Sequence, residues 1–137
     1  MGFYYQDSNL FCENLKVKDI QRQVQHSPFY LYSTSEIKKN FLKYESALKG
    51  IPSEISYAVK ANGNLSILKL LCEMGSWVTL VSGNELLLSV EAGYDPSKMI
   101  FNGNGKTISE LRLAVRSGVY MKTQTWGMKT LSTKRSP

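Results

Sequence analysis

Lys60 is the residue of this chain whose position points most directly to chemistry. It ends residues 54–60, where large and small side chains alternate with the period of two that is typical of a β-strand. On its side of the predicted strand, Lys60 follows two small residues, Ser56 and Ala58, which leave room for a ligand. A partly desolvated lysine at the carboxyl end of a parallel strand is suited to form a Schiff base with a carbonyl compound. The alternative is a solvated lysine that marks the end of a strand.

Few other residues suggest chemistry. His26, the only histidine, has polar neighbours and is predicted to be a surface residue. Cys12 and Cys72 stand 60 positions apart, which matches no metal-binding or redox spacing, so both are interpreted as structural thiols. The sequence offers no Ser-His-Asp set and no metal-ligand cluster, and no metal is expected.

Three helix starts are marked by Ser or Thr with Glu three residues later, the pattern of a capping box. The pairs are Ser33 with Glu36, Ser82 with Glu85, and Thr107 with Glu110. Apolar residues with helical spacing follow each pair and end near a glycine, and a further helix is predicted over 64–74. Strand-like runs are predicted at 29–32, 54–60, 77–81 and 98–101.

Strands and helices therefore alternate at least three times, which predicts an α/β fold with a parallel sheet. A complete (β/α)8 barrel takes about 250 residues, whereas the chain has 137. We expect an incomplete TIM-type barrel of the first three to four βα units, preceded by a short N-terminal strand segment. The predicted divisions are an N-terminal segment, 1–33, a partial barrel, 34–118, and a basic tail, 119–137, whose first residues could begin another strand.

The charge of the chain sets that tail apart. The net charge is +6, yet residues 1–110 contain eleven basic and eleven acidic side chains, so the whole excess follows position 110. Such asymmetry is typical of a nucleic-acid or membrane arm. The tail has neither helical apolar spacing nor regular basic–aromatic interleaving, so neither partner is expected and the tail is predicted to be disordered. No membrane-spanning run, secretory signal or transit peptide is recognised.

The segment around Lys60 carries a resemblance to a known family. Tyr57-Ala-Val-Lys60-Ala-Asn62 is followed at fixed distances by Ile67, Leu68, Leu71 and Gly75. This pattern resembles the pyridoxal-phosphate lysine signature of the alanine-racemase-like barrel decarboxylases, which include the diaminopimelate, ornithine and arginine decarboxylases. Segments 81–86, 91–98 and 100–107 are most similar to the diaminopimelate decarboxylases of plants, and the similarity covers about residues 10–118.

The resemblance implies that Lys60 is both the catalytic and the cofactor-binding lysine, which would hold pyridoxal 5'-phosphate covalently. Glu85 matches a family glutamate, although its place in a capping box explains it without a functional role. Thr79 stands where the broader family often has an aspartate behind the pyridine ring, so this chain lacks that carboxylate. The Gly-rich residues 102–106 could cradle a phosphate, but they are interpreted as a strand-to-helix turn near the mouth of the site.

The resemblance further implies a lyase that decarboxylates meso-2,6-diaminopimelate to L-lysine in lysine biosynthesis. A small amino-acid substrate, a homodimer, and a location in the cytoplasm or the plastid stroma would follow. Other family site residues lie in later segments that this chain does not match, so the chain alone is expected to be truncated and inactive. Two alternatives remain: a non-catalytic fragment that binds the cofactor or a full-length subunit, and a relative of the ornithine or arginine decarboxylases.

Overall fold

The computed structural model describes residues 2–24 and 26–122. The chain divides into two compact units, Met1–Ser53 and Glu54–Pro137. Residues 123–137, which make up most of the predicted basic tail, lie outside the described part of the chain. Within the described residues, no helix combines the length and the apolar character needed to cross a membrane.

The first unit contains a three-stranded antiparallel sheet and two helices. These elements are β1 (Phe3–Gln6), β2 (Asn9–Cys12), β3 (Leu15–Lys16), α1 (Val17–Gln23) and α2 (Thr34–Ala47). Two residues, Asp7 and Ser8, connect β1 to β2, and their φ angles of 47° and 60° are those of a type I′ turn. Tyr4 and Phe11, partners across these strands, stack with ring centroids 5.3 Å apart.

The prediction of a strand at 29–32 is wrong. These residues form no strand, and none of the strands in the described part of the chain pairs with them. Tyr30 is 89% exposed, and its ring stacks on that of Tyr32 with centroids 6.4 Å apart. The side chains alternate as those of a strand would, but a strand also needs a neighbouring backbone to accept and donate its hydrogen bonds.

The N-terminus of α2 is held by two carboxylates. Ser33 is the N-cap as predicted, and its hydroxyl accepts from the Glu36 amide at 3.2 Å. The capping box is incomplete, because the Glu36 carboxylate accepts from the Gly2 amide at 3.1 Å instead. The Glu13 carboxylate accepts from the Ser35 amide at 2.7 Å and from the Ser33 hydroxyl at 2.9 Å. These hydrogen bonds lower the pKa of Glu13, and the one donated by the Ser35 amide has the largest effect.

The second unit is a four-stranded parallel sheet in the order β4-β5-β6-β7, with a helix after each of the first three strands. The elements are β4 (Ser56–Ala58), α3 (Leu65–Glu73), β5 (Trp77–Leu80), α4 (Gly83–Glu91), β6 (Met99–Phe101), α5 (Ile108–Ser117) and β7 (Tyr120–Met121). The predicted parallel α/β architecture of three to four βα units is confirmed. Because β7 pairs with β6, the sheet extends past position 118, where the predicted tail begins.

The two faces of this sheet differ in burial. The helix-covered face, which we call the outer face, packs the fully buried side chains of Val78, Leu80, Met99 and Phe101. Leu68, Leu86 and Ala114 contribute to the same core from α3, α4 and α5. The opposite face, which we call the inner face, carries Ser56, Ala58, Trp77, Thr79, Ile100 and Tyr120, all half-buried or exposed. The core that holds the unit together therefore lies between the outer face and the helices.

Candidate functional site

Lys60 lies just after β4, at the carboxyl edge of the parallel sheet. The strand ends at Ala58 and residues 59–61 form a 3-10 turn, so the strand is shorter than the predicted 54–60. Within the turn, Val59 is buried in the core under the helices, whereas Lys60 is exposed. Across the described part of the chain, no residue forms a hydrogen bond or ion pair with the Lys60 ammonium. Its amine is therefore available to a ligand.

The backbone around Lys60 is fixed by short-range hydrogen bonds. The Tyr57 hydroxyl donates to the Asn62 carbonyl at 3.2 Å, which spans the turn. The Asn62 side chain accepts from the Asn64 amide at 3.0 Å. Asn64 is in turn the N-cap of α3, where its side chain accepts from the amide of Ser66 at 3.0 Å. The turn that carries Lys60 is thus joined rigidly to both β4 and α3.

Two glutamates occupy the backbone donors at the neighbouring strand ends. Glu85 accepts from the Val81 amide at 2.7 Å, so its carboxylate serves the start of α4. Glu110 accepts from the Gly83 amide at 2.8 Å and from the Thr107 amide at 2.9 Å. These hydrogen bonds lower the pKa of Glu110, and the one donated by the Gly83 amide has the largest effect. The structural interpretation of Glu85 is favoured, although the carboxylate binds the residue before its N-cap rather than the N-cap itself.

The loop 102–106 is closed by Lys106. Its ammonium donates to the carbonyl oxygens of Gly103 and Lys122 and lies 5.3 Å from the centroid of the Phe101 ring. Burial lowers the pKa of Lys106, while the Glu110 carboxylate acts in the opposite direction. The Gly103 amide donates to the Asn102 side chain at 2.8 Å. The Lys106 ammonium and the Gly103 amide are thus engaged within the chain, which favours the interpretation of this loop as a strand-to-helix turn.

A pair of hydroxyls lies on the inner face beside the Lys60 turn. Ser56 Oγ and Thr79 Oγ1 are 2.8 Å apart, a hydrogen bond between neighbouring strands. Thr79 is also the register partner of Ala58, two residues before Lys60. The sequence identified each of these residues separately, but only the register of β4 and β5 brings their side chains together.

Pyridoxal phosphate offers an aldehyde, a flat ring and a phosphate, which can be compared with these residues in turn. The free amine of Lys60 fits the aldehyde, and the small and hydroxyl-bearing side chains beside it fit a ring. Four neighbouring backbone donors are already bonded to oxygens of the chain itself, namely the amides of Val81, Gly83, Gly103 and Thr107. The described residues therefore fit the aldehyde and the ring.

The remaining sequence candidates do not join this site. His26 is exposed in the first unit, and Cys12 is buried there in β2. Cys72 is half-buried in α3, and burial raises the pKa of both thiols, which makes them less reactive. No three His, Cys, Asp or Glu side chains within residues 2–24 and 26–122 come together in a way that could hold a metal ion.

The sequence and the structure both match known proteins. Residues 34–128 match the family model described as the pyridoxal binding domain of pyridoxal-dependent decarboxylases. The chain is 50% identical over 115 residues to a probable chloroplastic diaminopimelate decarboxylase of Oryza sativa subsp. japonica. That match covers 84% of this chain and 24% of the rice protein, so the chain spans about a quarter of that relative's length.

Solved structures that are similar to this chain include the following two. The crystal structure of AQ1208 from Aquifex aeolicus superposes with a TM-score of 0.79 at 38% identity, covering 90% of this chain and 30% of that protein. The diaminopimelate decarboxylase of Helicobacter pylori complexed with L-lysine gives a TM-score of 0.71 at 38% identity, covering 77% of this chain and 28% of that protein. The parallel sheet of this chain therefore corresponds to part of a barrel fold. The chain covers less than a third of each of these two proteins.

Proposed function

Because the chain belongs to the family of pyridoxal-dependent decarboxylases, we propose that Lys60 binds pyridoxal phosphate covalently as part of a diaminopimelate decarboxylase. The observation that carries this proposal is the free Lys60 amine at the carboxyl edge of the parallel sheet, inside the segment that the family model matches. The substrate assignment rests on the relatives whose names include diaminopimelate decarboxylase, which the chain matches at up to 50% identity.

When bound, pyridoxal phosphate supplies an electron sink that stabilises negative charge on the carbon losing its carboxylate. This chain's own contribution would be to hold the cofactor at a fixed place through the Lys60 amine. Lys60 would do so from a short turn that is spanned by the hydrogen bond from the Tyr57 hydroxyl to the Asn62 carbonyl, so the backbone at Lys60 is held in place. The flexible four-carbon stem of the lysine would let the amine reach the cofactor.

The cofactor proposal can be tested on the chain as it stands. The chain is incubated with pyridoxal phosphate, reduced with borohydride and digested, and the modified lysine is identified by mass spectrometry. We expect the adduct on Lys60 at low cofactor concentration, and its loss in Lys60→Ala. Lys69→Ala is the matched control, because Lys69 is an exposed lysine of α3 and its loss should leave labelling unchanged. Equal labelling of many lysines would contradict the proposal.

Turnover is a separate question, because the chain covers only about a quarter of the rice relative. We propose that the complete protein converts meso-diaminopimelate to L-lysine and carbon dioxide, whereas this chain alone binds the cofactor without measurable turnover. Release of carbon dioxide would be measured with meso-diaminopimelate, ornithine and arginine as competing substrates. A preference of the complete protein for ornithine or arginine would overturn the substrate assignment and leave the cofactor proposal intact.

The proposed function also has consequences for the oligomeric state and the cellular location of the complete protein. A homodimer is proposed for the complete protein, in the cytoplasm or in a plastid, in keeping with the chloroplastic relative of rice. Light scattering on the complete protein would measure its mass, and a monomer at working concentration would contradict the dimer. A fluorescent fusion of the complete protein would report its compartment.

A further inference from the structure

The inner face of the parallel sheet has one polar feature close to Lys60. Side chains of register partners in parallel strands point to the same face, so Ala58, Thr79, Ile100 and Tyr120 form one row across β4 to β7. A second row contains Ser56 and Trp77. Within the described strands, this face carries no charged side chain. Its polar groups nearest to β4 are the hydroxyls of Ser56 and Thr79, which are bonded to each other.

We propose that the hydroxyl pair of Ser56 and Thr79 is a neutral hydrogen-bonding contact for the aromatic ring of the ligand that Lys60 holds. The inference rests on the proposed function, because it needs an aromatic aldehyde on Lys60. Its geometric basis is the register: Ala58 precedes Lys60 by two residues and pairs with Thr79. A ring tethered to Lys60 that lies back over Ala58 meets the two hydroxyls before any other polar side chain of β4 or β5.

The mutual hydrogen bond gives the pair a defined donor. Each hydroxyl has one proton and two acceptor lone pairs, so the contact between Ser56 and Thr79 uses one of their two protons. The second proton stays free to be donated to a ring nitrogen or to an oxygen attached to the ring. Because the pair is neutral, it can stabilise a partial negative charge on that atom without an ion pair. A heteroaromatic ligand with an acceptor atom is the chemistry that this pair recognises.

The choice of residues at these positions supports a role beyond packing. Ser56 is exposed, so its hydroxyl could have been solvated by water and instead lies 2.8 Å from Thr79. Ala58, between the hydroxyl pair and the Lys60 turn, is too small to cover the pair from the ligand side. The hydroxyl pair therefore lies next to Ala58 at the carboxyl half of β4 and β5.

The test compares hydroxyl removal with hydroxyl retention in the full chain. Pyridoxal phosphate is titrated against the wild type, Thr79→Val, Ser56→Ala and Thr79→Ser, and the adduct is followed by its long-wavelength absorbance and by the borohydride-trapped mass on Lys60. Thr79→Val keeps the shape and removes the hydroxyl. We expect it to weaken cofactor binding by about five- to tenfold, which is the effect of one lost hydrogen bond, and to shift the absorbance maximum.

The remaining variants separate the hydrogen bond from a structural effect. Thr79→Ser keeps the hydroxyl and should restore both affinity and absorbance maximum to the wild-type values. Ser66→Ala removes an exposed hydroxyl of α3 and should change neither. If Thr79→Val binds like the wild type with the same absorbance while Lys60 is still labelled, the hydroxyl contact is overturned and the proposed function stands. If the wild type gives no adduct on Lys60, the proposed function fails and this inference fails with it.

Discussion

The outer and inner faces of the four-stranded sheet carry different kinds of residue on the same strands. In β6, Met99 of the outer face is fully buried, whereas its neighbour Ile100 on the inner face is half-buried. In β5, Leu80 is fully buried, whereas Thr79 keeps a hydroxyl that bonds across to β4. Because successive side chains of a strand point to opposite faces, a single step along the chain separates these environments.

This difference indicates how the unit divides stability and function between its faces. Parallel sheets are usually covered on both faces, and within the described part of the second unit three helices cover the outer one. The inner face therefore contributes less to the free energy of folding, and it leaves side chains near Lys60 that need not be chosen for packing. Substitutions on the two faces should therefore differ in their effect on the free energy of unfolding.

The largest effect is expected from adjacent truncations in β6. Met99→Ala should lower the free energy of unfolding by about 2–5 kcal/mol, because it opens a cavity in the core under the helices. Ile100→Ala, one residue further on, should cost clearly less, because its side chain is only half-buried. Urea unfolding followed by circular dichroism measures both. Equal losses in the two variants would mean that the inner face is packed as tightly as the outer one.

A buried hydrogen bond next to the outer core should give the next largest effect. The hydroxyls of Tyr94 and Ser76 are 2.8 Å apart, and both residues are buried. Tyr94→Phe leaves the Ser76 hydroxyl without this partner and should cost about 1–3 kcal/mol. Ser66→Ala, at an exposed position of α3, is the control and should cost little.

The titration of Tyr94 should make the stability of the protein depend on pH. Burial raises the pKa of Tyr94 to about 12, above the ordinary value of 10.0. The folded state therefore keeps its proton longer than the unfolded state, and the stabilisation is complete below pH 10 and is lost as the pH rises from about 10 to about 12. Tyr94→Phe should lack this loss, and a loss of the same size in both proteins would place its origin elsewhere.

A smaller effect is expected where the loop 102–106 joins the end of β7. Lys106→Met keeps an apolar stem against Phe101 but removes the donors to Gly103 and Lys122, and it should cost about 1–2 kcal/mol. Hydrogen exchange at the Lys122 amide, which donates to Phe101, should become faster. Lys69→Met, at an exposed lysine, should leave that exchange rate unchanged. An unchanged rate in Lys106→Met would show that the hydrogen bonds of the Lys106 ammonium do not stabilise the end of β7.

The smallest effect should come from the aromatic pair on the inner face. Trp77 and Tyr120 stack with ring centroids 6.0 Å apart, and Tyr120 is 59% exposed. Tyr120→Ala should cost about 0.5–1 kcal/mol, and Tyr120→Phe, which keeps the ring, should cost almost nothing. A cost as large as that of Met99→Ala would contradict the division between the faces.

The sequence predicted the elements of the second unit well because their signals are local. The cap at Thr107, its glutamate three residues later and the glycine after α5 all act within one helix, and Gly118 indeed adopts the left-handed conformation, with φ 72°. Lys60 could be identified because a strand end and a short motif coincide there. The hydrogen bond that the Gly83 amide donates to the Glu110 carboxylate could not be predicted, because it joins residues 27 positions apart in neighbouring βα units.

The first unit was predicted less well for related reasons. The turn at Asp7 and Ser8 has the φ angles of a type I′ turn. It lacks the Asn-Gly pair that is typical of such turns, so the sequence did not predict the hairpin. The aromatic residues on either side of this two-residue polar break were the available signal. At 29–32 the reverse happened, because a run of strand-favouring residues alone cannot say whether a partner strand exists. The hydroxyl pair of the inner face likewise depends on register, which no single strand encodes.

The glutamates at the helix starts have an electrostatic consequence for the edge where Lys60 lies. The first turns of α4 and α5 each contain an acidic residue, Glu85 and Glu110, which offsets the positive end of the helix macrodipole. The first turn of α3 contains none, and its cap is the neutral Asn64. Of these three helices, only the one that follows Lys60 directs an uncompensated positive end toward the carboxyl edge. The electric field along this edge is therefore uneven, and it is most favourable to negative charge at the end nearest Lys60.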